Sequence, residues 1–165
     1  MYTRTAEGAL GGKCATGFNG DWGWTVARAE MPVTHADFAS LYRLWEKRRN
    51  GGALPGLDDF PFDELAPWLG NISVARAIRD DFELELLGCS MVDECGREAS
   101  RITLSNSRFG PVGASAREML ETVTDMGVVA LPCGTTEWRG RTFGWHGIAL
   151  PLASRSALMT LHVVH

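Results

Sequence analysis

The chain has 165 residues, 45% of them hydrophobic and 22% charged, which suits one globular domain with a single core and excludes a chain disordered throughout. Its formal charge of −4 argues against nucleic acid as the main partner, because phosphate binding needs a concentrated basic face. No apolar run reaches the roughly 20 residues of a membrane-spanning helix, and no continuous apolar stretch near the N-terminus reads as a signal peptide, so a cytoplasmic protein is expected.

Residues 1–34 are rich in Gly, Ala and Thr without a sustained period, and are expected to form a flexible tail ahead of a domain over 35–165. The segment GALGGKC is glycine-rich like a phosphate loop, but it lacks the preceding strand and the following GK[ST]. Trp22 and Trp24, an i, i+2 aromatic pair, suggest a short strand that adds to a sheet edge or to a partner. From His35 the pattern turns helical. Phe38, Leu41, Tyr42 and Trp45 make one apolar stripe, and Asn50-Gly51-Gly52 stops the helix. The basic cluster of Arg43, Lys47, Arg48 and Arg49 near its end complements the helix dipole. The stripe must be buried against the chain's own sheet or against the same helix of a second copy. These four residues are therefore the candidate interaction helix, and a homodimer is expected.

Pro55, Pro61 and Pro67 punctuate a connector with a short helical piece near 62–69. Two strands follow, 72–78 and 82–87, joined by the polar turn Arg79-Asp80-Asp81. In the second, Phe82, Leu84 and Leu86 alternate with Glu83 and Glu85, so one face is buried and the other wet. Gly88 breaks the strand, residues 89–95 read as two helical turns closed by Gly96, and 97–113 reads as loop. Ser115 with Glu118 has capping-box spacing and opens a helix over 115–126 that Gly127 ends. Three strands then meander over 128–137, 143–152 and 157–164, which favours an antiparallel α+β domain.

The run LPGLDDFPFDELAPWLGNISVARAI, then FELELLGCSMVDECGRE, resembles the start of a PAS-like sensor domain. It is similar to the alphaproteobacterial variant with a helix and an LP…D…P…L lead-in; Gly88, Gly96 and the run Ile148-Ala149-Leu150-Pro151-Leu152 fall where that family places a turn, a helix end and an apolar "LPL" strand. The resemblance covers about residues 37–165 and departs at Arg97-Glu98, where a Gly-Lys/Arg pair is usual. It implies a five-stranded antiparallel sheet with helices across one face, here with an extra N-terminal amphipathic helix. It further implies a bacterial signal-transduction module that senses a small molecule or a signalling protein, signals through its N-terminal helix or self-association, and has no enzymatic activity of its own. The alternatives are an interaction adaptor with a filled core and a small α+β enzyme.

By the same resemblance the ligand pocket lies between helix 115–126 and the last strands, with Met119, Val123, Phe143, Trp145 and Met159 as lining candidates. Which cofactor is held, if any, is left open. Haem and flavin are not expected, since helix 115–126 has no His and no Asn-Cys-Arg-Phe motif occurs. Cys14, Cys89, Cys95 and Cys133 form no C-x-x-C, so free thiols are expected. His146, His162, His165 and Cys133 would converge on a metal only if the last strands paired in the right register, and no metal site is expected. Asp58, Asp59, Asp63 and Glu64 are expected to cap helices rather than act as an acid/base pair.

Overall fold

The computed structural model describes residues 22–27, 36–88, 101–106, 110–138 and 141–164. Six strands form one antiparallel sheet: β1 (Trp22–Val26), β2 (Ile72–Ile78), β3 (Asp81–Leu87), β4 (Ala130–Trp138), β5 (Arg141–Leu152) and β6 (Ser156–Val164). Their order across the sheet is β1-β4-β5-β6-β2-β3. Three helices accompany them: α1 (Ala36–Arg48), α2 (Phe62–Leu65) and α3 (Gly110–Met126), with single 3-10 turns at Leu57–Asp59 and Ala66–Trp68. Among these residues no helix is long and apolar enough to cross a membrane.

The expected α+β class holds, while the expected layer plan needs two corrections. The sheet has six strands rather than five, because Trp22–Val26 pairs with β4 in the register Trp22↔Gly134 to Val26↔Ala130. The domain therefore starts no later than Trp22, and that part of the expected tail is a strand. The helices also cover both faces rather than one. On one side α3 lies over the sheet; on the other, α1 and the connector do. The reason is in β5 and β6, where both parities are apolar. Ile148, Leu150, Leu152 and Leu158 point to α1, and Ala149, Ala157 and Met159 point to α3. A sheet with two apolar faces exposes one of them unless each is covered.

The stripe of α1 is consumed in that covering. Phe38, Leu41 and Trp45 are at most 4% exposed, and the Trp45 indole N–H donates to the Pro151 carbonyl at 2.8 Å. Of the two partners open to the stripe, the chain's own sheet is the one observed. Phe38, Leu41 and Trp45 are thus corrected from an interaction surface to core, with Tyr42 half-buried beside them. Gly51 and Gly52 end the helix region at φ of 63° and 87°, values that favour glycine.

Strand β3 lies at one edge and β4 near the other, so the chain must recross the whole sheet between them, and α3 completes that return. This helix begins at Gly110, five residues before the expected start, so Ser115 lies inside it rather than capping it. Pro111 explains the difference: in the first turn its missing N–H has no helical partner to lose. The expected helix over 89–95 lies outside the described residues. The segment 101–104 pairs along the outer edge of β3, with Leu84 donating to the Ile102 carbonyl at 3.0 Å and Leu104 to that of Phe82 at 3.0 Å.

Candidate functional site

Helix α3 presents Ala116, Met119, Leu120 and Val123 to the sheet at i, i+3, i+4, i+7 spacing, all of them buried. Beneath it the middle strands offer alanines: Ala75, Ala130, Ala149 and Ala157. Bulk returns at the two ends of this floor. Phe82, Leu84 and Leu104 stand on the β3 side, and Trp24 on the β1 side, with Trp22 and Val26 alongside.

Of the expected pocket residues, Met119, Val123 and Met159 meet in this one cluster. Trp145 and Phe143 share their face by strand alternation but sit further along β5. There the Trp145 ring tilts against Trp22 with centroids 4.8 Å apart. The residue between them is Gly134, paired with Trp22 on one side and with Trp145 on the other. Lacking a side chain, it lets two indoles from strands two positions apart meet over its backbone. Phe143 is half-buried. Sequence reasoning placed none of Trp22, Trp24, the alanine floor or Ser73 in the site. The alternating Trp-Gly-Trp was the available signal, and it located the strand without its face.

Three buried polar atoms on the α3 side have no hydrogen-bond partner among the described residues: Nε1 of Trp22, Nε1 of Trp24 and Oγ of Ser73. Trp24 is 3% exposed and Ser73 1%, and Ser73 lies beside Met159 in the β2–β6 register. Leaving such a donor unpaired costs about 1–3 kcal/mol, which a ligand acceptor would recover. The site can therefore offer apolar area and two or three neutral donors.

Two acidic residues of the connector have structural work. The Asp59 carboxylate accepts from the Gly56 N–H at 2.7 Å, and Glu64 pairs with Arg48 across to α1. Arg76 likewise bridges Glu85 at 2.7 Å on the wet face of the β2–β3 hairpin. Cys133 is free and exposed; Cys14, Cys89 and Cys95 lie outside the described residues. Comparison with known proteins finds no matching family model, no similar curated protein and no similar solved structure.

Proposed function

We propose that this chain is a PAS-like regulatory module, without enzymatic activity of its own, that takes a small molecule on the α3 side of its sheet. The observation that carries the reading is the Trp24 indole N–H, buried at the rim of the alanine floor with no partner among the described residues. The chain order supports it as well: two strands, a recrossing helix, then three meandering strands, as the family plan has it.

The ligand's signal would pass through β5, whose Ala149 faces α3 while Ile148 and Leu150 face α1. Binding can shift this arrangement only by favouring one packing over another. Indole N–H resonances test the proposal directly. A ligand recovered with the protein should move the Trp24 signal, and Trp24→Phe should weaken its binding. Unchanged affinity in that variant would count against the site.

A second reading, an interaction adaptor with a filled core, is favoured by the complete burial of Met119, Leu120 and Val123. It predicts the same fold and no retained small molecule.

A further inference from the structure

On the opposite face of the sheet the strand register does what the sequence left conditional. Cys133 of β4 pairs with His146 of β5, and His146 pairs with His162 of β6, so the three stand side by side on the α1 face. The next position in the row is Gly23 of β1, where an added Cβ would meet nothing within 4 Å, so the Cys133 end is open. We infer that His146 and His162 form a chelating site for one divalent transition-metal ion of the zinc, nickel or copper class.

The spacing is right for one ion. With metal–nitrogen bonds of about 2.0–2.1 Å, two imidazoles on a single ion have ring centres roughly 5–6 Å apart. The His146 and His162 centroids are 6.0 Å apart, with planes 25° from parallel. Both ligands sit on neighbouring paired strands, which hold their main chains in register, and the stacked rings must turn to aim a nitrogen each at one ion. Phe38 lies edge-on to the His146 ring at 5.2 Å and restrains it from the α1 side.

Among the described residues no group of three His, Cys, Asp or Glu side chains is already arranged around an ion. The site is accordingly a two-imidazole chelate completed by water, with Cys133 the neighbouring position in the strand register. Imidazole is the ligand that suits zinc, copper and nickel alike, which sets the class of ion without choosing within it. Because Phe38 opens the apolar stripe of α1, turning the His146 ring would act on the first turn of that helix. This site and the ligand site proposed on the α3 side lie on different faces, and each stands without the other.

Titration of the full chain with Zn(II) and with Ni(II), by calorimetry and by imidazole proton resonances, tests the inference. One ion per chain should bind, with the His146 and His162 ring signals shifting or broadening together. His162→Gln and His146→Gln should each weaken binding by about tenfold or more, while His35→Gln and His165→Gln leave it unchanged. His162→Gln is the decisive variant, because His162 is half-buried near the end of β6 and the fold of the variant is verifiable by circular dichroism. No saturable binding to the parent chain, or a folded His162→Gln that binds within about twofold of it, would overturn the site.

Discussion

Gly147 occupies the one place in β5 where the α3 face has no room for a side chain. A Cβ there would stand 2.5 Å from the Thr160 carbonyl oxygen and 2.6 Å from Leu161 Cδ2, with Pro132 also in contact. The first of these is backbone and cannot swing away. Gly147→Ala should therefore destabilise the fold by about 1–3 kcal/mol, read as a lower denaturation midpoint. Gly88 is confined in the same way, its Cα facing the Gly70 and Leu69 carbonyls while its N–H donates to Ile72 at 2.7 Å.

Asp81 sets an acid limit at this scale. Partial burial opposes its ionisation, but hydrogen bonds from the Ser105 hydroxyl and from the backbone N–H groups of Phe82 and Ser105, with Arg117 adding, outweigh burial and hold its carboxyl below the ordinary value. Its folded value is depressed, so its contribution is present above the usual carboxylate range and is lost as pH falls through the folded value. Asp81→Asn should flatten the loss of stability on acidification, measured by thermal denaturation across that range. An unchanged pH profile would mean that the 101–106 segment is held to β3 by its backbone pairing alone. Tyr42 behaves oppositely: burial first, then its hydrogen bond to Glu46 at 2.9 Å, raises its phenol against a smaller opposing pull from Arg49.

At the scale of elements, α1 is a piece of the core. Leu41 is wholly buried against the sheet, so Leu41→Ala should cost about 2–5 kcal/mol while leaving particle size in solution unaltered. A change in oligomeric state with little loss of stability would return the helix to the role of an interface. Strand β1 is the second element whose weight was hidden. It brings Trp24 under α3 and Trp22 against Trp145, and its chain continues by an Ala27 N–H bond to the Val129 carbonyl at 2.8 Å. A chain lacking residues 1–27 should show a lower thermal midpoint and an altered Trp145 emission, since β4 would become an edge with an uncovered apolar face.

Strong periodicity made the elements themselves legible. The stripe at Phe38, Leu41 and Trp45, the alternation in β3 and the turn residues at Arg79-Asp80 all place structure within a residue or two of where it stands. Loop chemistry misled at the start of α3, because Gly110-Pro111 reads as a breaker in sequence and serves as a first helical turn in space. What sequence could not supply was pairing between distant strands. That β1 sits beside β4, and that Cys133, His146 and His162 fall in one row, depends on register, which no local pattern encodes. The same missing information hid the second helical layer, since a helix stripe records that it is buried without recording against what.

For the molecule as a whole, a six-stranded sheet is covered on both faces, and β5 and β6 touch both layers. A small molecule under α3 and an ion beside α1 would thus act on the same strands from opposite sides. If the chain signals as proposed, either event would act by changing how the two layers rest on their common sheet. Native mass spectrometry of the freshly purified full chain, paired with its absorption spectrum, tests the ligand-binding claim most directly. A small-molecule mass that is retained under native conditions and released on denaturation is the predicted result. A bare polypeptide mass, with indole N–H resonances of Trp22 and Trp24 unmoved by added cell-extract metabolites, would contradict it and leave the filled-core adaptor.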